Sequence, residues 1–398
     1  MPEITRRDLM RGSAALAAVE AVRAAVKPVR ITDVDLFDIA IPVSKAQAEA
    51  GVNYRFPVAK VLTDAGLAGY SFAGPPARAL GEVKKLLAGK DLFNVEQQLK
   101  DGLLRWGGLE HAVWDAIGKI AGQPVYRLLG GSRGRVKAYL TCVWPGNADQ
   151  AQVPFKDQVE MALRIRKAGF RGMKIRVWRP NPMDDVEVCR QIRAAAGQDF
   201  AVMFDRTAEM PVSMSGQKVW DYETGLKVAR GLEKAGAAWL EEPFARSDYE
   251  TPAKLAQAVD IPITGGEGYT GLEPFRQCVL HKTYDILQPD GRNAGGILAC
   301  RKVSILAESF NLRCILHGTM ALMLAGWLQA TLAIGSEWQE VALITPPLLP
   351  EEQWAPCLKV LKSGKLFAIE NGELLAPPYP GLGLDLDEEA LEKFRVRA

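Results

Sequence analysis

Phe200-Ala201-Val202-Met203-Phe204-Asp205 is a short apolar run that ends on an acid. The same arrangement stands on either side of it. Gly172-Met173-Lys174-Ile175-Arg176-Val177 precedes it, and Ala237-Ala238-Trp239-Leu240-Glu241-Glu242 follows. Farther out lie Val136-Lys137-Ala138-Tyr139-Leu140, Ile261-Pro262-Ile263-Thr264, Tyr284-Asp285-Ile286-Leu287 and Arg313-Cys314-Ile315-Leu316. Each run has strand length. The stretches between them are helical, such as Asp184 to Ala196. In Tyr222 to Ala235, residues Tyr222, Leu226, Ala229 and Leu232 fall on one face. Strands alternating with helices form a parallel sheet. Seven or eight such units in about 220 residues predict a closed barrel.

Upstream of the barrel the pattern changes. Val29 to Val34 and Pro57 to Leu62 read as strands, and Asp64-Ala65-Gly66 turns the second into Ala68 to Phe72. Ser44 to Tyr54 is polar and unpatterned and reads as a loop. Helices are predicted over Ala79 to Leu87, Asn94 to Leu104 and Leu109 to Gly122. The chain therefore divides into an arm at 1–28, an α+β domain at 29–135 and a barrel at 136–362. The tail 363–398, with turn and strand character, is expected to complete the α+β domain.

The 398 residues carry a formal net charge of +2, with 48% hydrophobic and 24% charged residues. That balance gives no global field to attract nucleic acid or an anionic membrane, and no stretch reads as a transmembrane helix. An acidic small molecule would have to be caught by a local cluster of charge. The six cysteines form no CxxC pair and read mostly as core hydrophobes. Thr5-Arg6-Arg7-Asp8-Leu9-Met10-Arg11 before the Ala-rich Gly12 to Val19 resembles a twin-arginine export signal, which favours an exported, periplasmic protein. Glu20 and Arg23 interrupt the apolar run, so a solvated arm on a cytoplasmic protein is the alternative.

The strand ends carry the chemistry. Lys174 and Arg176 lie two apart on one strand and so project to the same side. Asp205, Glu241 with Glu242, Glu267, Asp290 and His317 follow on successive strands. In a parallel barrel these ends meet at one mouth. Asp205, Glu241 and Glu267 are three carboxylates in step with the strands, a donor set for a hard cation, Mg²⁺ or Mn²⁺ rather than zinc. Of the other histidines, His111 lies inside a helix and reads as structural, and His281 reads as exposed in a loop.

These residues together resemble the enolase superfamily, in its mandelate racemase/muconate lactonizing branch, over nearly the whole chain from Val29. Leu109-Glu110-His111-Ala112-Val113-Trp114-Asp115-Ala116-Ile117-Gly118-Lys119 with Pro124-Val125-Tyr126-Arg127-Leu128-Leu129-Gly130-Gly131 is similar to that family's capping-domain signature. Gly169 to Arg176 resembles its KxK strand, and Trp239-Leu240-Glu241-Glu242-Pro243 its ligand motif on the fourth strand. The resemblance implies an α/β fold, a modified (β/α)7β TIM-like barrel with an α+β capping domain. It implies Mg²⁺ on Asp205, Glu241 and Glu267, with Lys174 holding a substrate carboxylate and the enediolate formed when the α-proton leaves. His317 would be the general acid/base, oriented by Asp290. Glu340 would donate a hydrogen bond to the substrate carboxylate. The family's habit of symmetric assembly implies a homo-oligomer.

Two residues depart from the pattern. Arg176 stands where the second lysine is expected, and a guanidinium is a poor base. With one good base, dehydration of an acid sugar or related hydroxy acid is easier to explain than racemisation or epimerisation, the alternative within the superfamily. Thr207, in Asp205-Arg206-Thr207, replaces a more usual Asn. Arg206 either reads a second substrate charge or forms an ion pair on the rim. Tyr54 and Arg55 are candidate distal contacts. Two rival readings belong to other classes. A barrel that kept its site but lost turnover would be a catalytically silent ligand-binding protein. Gly266, Gly268 and Gly271 spell G-x-G-x-x-G, with Asp290 downstream, as in a dinucleotide-dependent oxidoreductase, although Glu267 inside that loop would repel a pyrophosphate.

Overall fold

The structure, a computed structural model, describes residues 27–144, 153–208 and 219–397. The export-signal expectation at 1–28 therefore falls outside the described residues, apart from the last two. Among the described residues no helix is long and apolar enough to cross a membrane.

The first unit is a three-stranded antiparallel sheet, β1 (Ile31–Ile41), β2 (Tyr54–Thr63) and β3 (Ala68–Ser71), in that order. The expected hairpin joins β2 to β3. β1 runs well past Val34 because Phe37, Ile39 and Ile41 continue to be buried along it. The segment expected as a loop contains a helix, Lys45–Glu49. Ser44 Oγ accepts from Gln47 N at 3.2 Å, and Gln47 Oε1 accepts from Ser44 N at 3.0 Å. This is a capping box written in the sequence as Ser-x-x-Gln.

Three helices cover the sheet: Leu80–Leu87, Val95–Asp101 and Gly107–Ile120. The second is shorter than expected because Gly102 takes φ +127° and breaks it. The third lies directly on β3. A Cβ at Gly69 would stand 2.0 Å from the Ala112 carbonyl oxygen, so only glycine permits that approach.

The second unit has strands β4 (Arg135–Cys142), β5 (Gly172–Arg176), β6 (Ala201–Asp205), β7 (Trp239–Glu241), β8 (Ile263–Gly265), β9 (Ile286–Leu287), β10 (Arg313–Cys314) and β11 (Trp338–Ile344). Neighbours from β4 to β10 pair in parallel and in sequence, and β11 pairs in parallel with β4. The remaining gap is closed just beyond β10. Thr319 bridges Val341 in parallel, and Ala342 N donates to Thr319 O at 3.1 Å. Eight parallel strands with a helix after each of the first seven make the expected (β/α)7β barrel. Tyr139, Met203, Trp239, Ile286 and Ile315 form a separate apolar cluster, apart from the larger core. None of the six cysteines is joined in a disulfide, and five of them are buried.

The tail divides. β12 (Ile369–Glu370) and β13 (Glu373–Leu375) form a hairpin that joins the barrel through β4. Beyond it, the helix Glu388–Lys393 and the residues after it return to β1, where Val396 N donates to Asp38 O at 2.8 Å. The expected return to the small domain thus describes only the last part of 363–398.

Side chains of the helix Gly107–Ile120 fasten the units together. Buried Asp115 accepts from Tyr70 N and Leu382 N, both at 2.8 Å, and pairs with Lys119 at 2.6 Å. One carboxylate thus ties β3 to the tail. Asp115→Ala leaves two buried amides without acceptors. It is expected to cost about 2–4 kcal/mol, read as a lowered urea midpoint with an unchanged slope.

Candidate active site

Strand register assembles the site. Arg176 on β5 is the Cα partner of Asp205 on β6, which is in turn the partner of Glu241 on β7. All three therefore stand at one level of the barrel. Lys174, two residues back, points the same way one level deeper. Its Nζ lies 5.9 Å from the centre of the Tyr139 ring, in the separate apolar cluster.

Lys174 is almost wholly buried, with 1% of its side chain exposed. It donates to both oxygens of Glu241, at 3.0 and 2.9 Å, and stands 2.8 Å from Glu340 Oε1 and 3.8 Å from Asp205 Oδ2. Burial alone would neutralise the amine, but Glu241, Glu340 and Asp205 outweigh it and raise its pKa. Glu241 moves up as well. Burial pushes it, and the charges of Asp205, Glu340 and Glu267 add to the push against the opposing Lys174. One ammonium cannot fully compensate three carboxylates. Gln288 Nε2, 3.1 Å from Glu241 Oε2, adds a neutral donor.

Glu340 on β11 joins the same cluster. Its carboxylate accepts from Thr141 Oγ1 and, at 2.8 Å, from Gly318 N, besides facing Lys174. Burial opposes its charge, but Lys174, His317 and these donors hold its pKa below the usual range. Held by Thr141, Gly318 and Lys174, Glu340 fixes the position of the Lys174 ammonium.

Arg176 Nη1 bonds Asp205 Oδ2 and Thr207 Oγ1. Thr207 Oγ1 in turn lies 2.5 Å from Asp205 Oδ1. The hydroxyl thus holds Asp205 from the position where an asparagine is more usual. Burial works against the charge on Arg176, but Asp205 leads a set of acids that raises its pKa, so it is no base. Arg206 is 2% exposed and stacks over Trp220 at 5.2 Å, away from the mouth. Tyr54 and Arg55 also lie elsewhere: Tyr54 Oη donates to Gln353 O at 2.7 Å, and Arg55 pairs with Asp38 at 2.8 Å.

His317 stands between two acids. Its Nδ1 lies 3.1 Å from Asp290 Oδ2, and its Nε2 lies 3.0 Å from Glu267 Oε2. Asp290 Oδ1 is pinned by Arg292 N at 2.9 Å and Asn293 N at 2.7 Å. Burial disfavours the imidazolium, yet Glu267 and Asp290 outweigh it and raise its pKa well above the ordinary histidine value. The same ion pair, with Arg246 and Arg176, overcomes burial and lowers the pKa of Glu267.

Arg246 is the residue that the sequence reading missed. It grips Glu242 through Nε at 2.8 and 2.9 Å and reaches Glu267 Oε1 at 2.6 Å. The signal was the Glu242–Arg246 spacing of four. The adjacent acids Glu241 and Glu242 are thereby separated: one faces Lys174 and the other is anchored by Arg246 and by Gly266 N at 3.2 Å. The glycine loop does not cradle a dinucleotide. A Cβ at Gly268 would stand 2.5 Å from the Arg246 guanidinium, and Asp290 is occupied by His317 and two amides. His111 is buried, with Nε2 2.9 Å from Gly291 O. His281 ends the helix Glu273–His281, rather than lying in a loop, and is exposed.

Thr141, Arg176, Glu267, Asp290, His317 and Glu340 are among the residues that line a cavity of 320 Å³ at the mouth. As the side chains stand, no three acids, histidines or cysteines among the described residues converge on one point as metal ligands. Lys174, Arg176 and Arg246 instead engage Glu241, Asp205 and Glu267. The donors themselves are hard oxygens suited to Mg²⁺. Glu267 Oε2 is buried and faces His317 Nε2 at 3.0 Å, so a bound cation would compete with the imidazole for that oxygen.

A family model described as Enolase C-terminal domain-like matches residues 157–390. The arabinonate dehydratase of Saccharolobus solfataricus is 30% identical over 73% of this chain and 72% of its own length. The D-galactonate dehydratase of Ralstonia nicotianae is 28% identical over 84% of this chain and 91% of its own. The crystal structure of D-glucarate dehydratase from Agrobacterium tumefaciens, complexed with magnesium, aligns with a TM-score of 0.78 at 26% identity. That alignment covers 92% of this chain and 99% of the other.

The dependence on Lys174 can be measured without any substrate. Lys174→Met strands Glu241 and Glu340 without their shared cation. It is expected to destabilise the fold by about 3–5 kcal/mol, seen by chemical denaturation.

Proposed function

This chain belongs to the enolase C-terminal domain-like family, and from that premise we propose that it is a magnesium-dependent dehydratase of acid sugars or related hydroxy acids. The carrying observation is the His317–Asp290 pair, whose second ring nitrogen stands 3.0 Å from Glu267 inside the cavity. A base held beside a candidate metal ligand is the geometry for taking a proton α to a carboxylate. The dehydratase relatives support the reaction class.

Asp205, Glu241 and Glu267 would hold the ion, which when bound supplies Lewis-acid charge to the substrate carboxylate. Lys174 adds its own charge from the barrel floor, where Glu340 and Glu241 fix its position. In this reading Asp290 accepts from His317 Nδ1 and leaves Nε2 to take the α-proton. The electrons of the broken C–H bond are held first in the enediolate of the substrate carboxylate, then form the new carbon–carbon double bond as the β C–O bond breaks. His317 Nε2 then returns its proton to the departing hydroxyl, which leaves as water. The enol that remains tautomerises to a 2-keto-3-deoxy acid. Asp290, 3.1 Å from Nδ1, stabilises the imidazolium that exists between the two steps.

Racemisation or epimerisation needs a second base. Arg176 stands at that place, tied to Asp205 and Thr207, and cannot give up its proton. Dehydration uses one group twice and fits the single histidine.

The test is a panel of aldonic and aldaric acids with Mg²⁺, followed by keto-acid formation and by exchange of the α-hydrogen in D₂O. Turnover is expected for at least one acid, lost on chelation and restored by Mg²⁺. His317→Asn is expected to lower kcat by about 10²–10⁴-fold and to slow α-exchange in parallel. Undiminished activity in that variant would sink His317 as the base. Absence of both keto acid and exchange across the panel would sink the dehydratase reading.

A further inference from the structure

The catalytic cavity does not end at His317. Arg292 and Asn293 line it and also line a second cavity of 280 Å³, so the two adjoin at that loop. The second cavity runs towards the small domain, past Thr270, Pro76 and Arg105, and no acidic side chain lines it.

The charge balance along this path is uneven. In the catalytic cavity Arg176 faces Asp205, and His317 lies between Asp290 and Glu267. In the second cavity Arg105 pairs with Glu82 at 2.8 Å. Among the described residues, Arg292 is the one cation lining either cavity with no carboxylate in ion-pair range. Its position is nonetheless fixed. Its amide donates to Asp290 Oδ1 at 2.9 Å, and the neighbouring Gly291 carbonyl is held by His111 at 2.9 Å. The main chain is pinned to the catalytic aspartate, while the guanidinium belongs to an exposed residue.

Resting on the dehydratase reading, we propose that Arg292 reads the far end of the substrate and that this end is a second carboxylate. The preferred substrates are then aldaric acids, diacids, rather than aldonic acids, which end in a hydroxymethyl group. One carboxylate faces Lys174 on the barrel floor and the other meets Arg292. A planar guanidinium matches a carboxylate with two charge-assisted hydrogen bonds. A hydroxymethyl group offers it no charge, and Arg292 has no competing acid to satisfy it.

The experiment compares galactarate with galactonate and glucarate with gluconate, pairs that differ only at the terminal carbon. Wild type and Arg292→Gln are measured in Mg²⁺ by steady-state kinetics and by titration calorimetry. The wild-type ratio of kcat/KM, diacid to monoacid, is expected to exceed ten in at least one pair. In Arg292→Gln that ratio should fall by about 10- to 100-fold, mainly through KM, and the ratio of calorimetric affinities should fall with it. A wild-type preference for the monoacids overturns the proposal. So does a diacid-to-monoacid ratio that the variant leaves unchanged. If no acid is turned over or exchanges its α-hydrogen, the dehydratase reading fails, and calorimetry still decides the proposal. A diacid that binds no tighter than its monoacid counts against it in every case.

Discussion

One buried ammonium organises the mouth of this barrel. Lys174 is shared by Glu241 and Glu340, with Asp205 just beyond, and almost no water reaches any of them. A lysine buried alone would lose its proton, and carboxylates buried alone would gain one. Together they keep each other charged. The arrangement holds only in one register. Lys174 reaches the acids because β5 pairs with β6 and β6 with β7 at Arg176, Asp205 and Glu241. A slip of one residue on β5 would turn Lys174 towards the helices and leave the acids uncompensated. The charge cluster and the strand pairing therefore enforce each other.

What the sequence made legible is what repeats or alternates. The acid or histidine at each strand end could be read because the strand rhythm placed it, and the convergence of Lys174, Arg176, Asp205, Glu241, Glu340, Glu267, Asp290 and His317 required only a closed barrel. The partners of those residues were harder to read. The surroundings of Glu340 could not be read, because Thr141, Gly318 and Lys174 surround it only after closure joins β11 to β4. Arg246 lies four residues from Glu242, a visible spacing, but its reach to Glu267 crosses from one strand end to the next. The divided tail was illegible for a different reason. Glu373–Leu375 is three residues long, too short for its pattern to choose between two sheet edges. The helix at Lys45–Glu49 was legible and overlooked: Ser44 and Gln47 spell its cap.

The small domain reaches the chemistry through neighbouring side chains of one helix. Glu110 accepts from Ile297 N at 2.8 Å and Leu298 N at 3.0 Å, where the barrel helix Ile297–Ser309 begins. His111 holds Gly291 O, next to Asp290. The loop from Asp290 to Gly296 is thus gripped at both ends by the helix Gly107–Ile120. That grip bears on the orientation of His317, since Asp290 sets the imidazole and the loop sets Asp290. A cation would not suit the place of His111. Burial there pushes the imidazole down to about 4, despite the carbonyl of Gly291 and the charge of Asp290, so His111 acts as a neutral strut.

The backbone at the mouth gives way where the charges demand it. Thr207 takes φ +40° and Glu242 φ +43°, a region that residues other than glycine avoid at about 1–3 kcal/mol each. Both lie just past an acid at the end of a strand. Were β7 to continue straight, Glu242 would face the opposite side from Glu241. The left-handed turn instead delivers it to Arg246 and to the amide of Gly266. The turn at Thr207 likewise brings a hydroxyl back onto Asp205. In each case a strained residue is held by several contacts, and each contact steadies a carboxylate of the site. The strain accompanies the crowding of six acids, Asp205, Glu241, Glu242, Glu267, Asp290 and Glu340, into one mouth, where straight strands would not bring each of them to a donor.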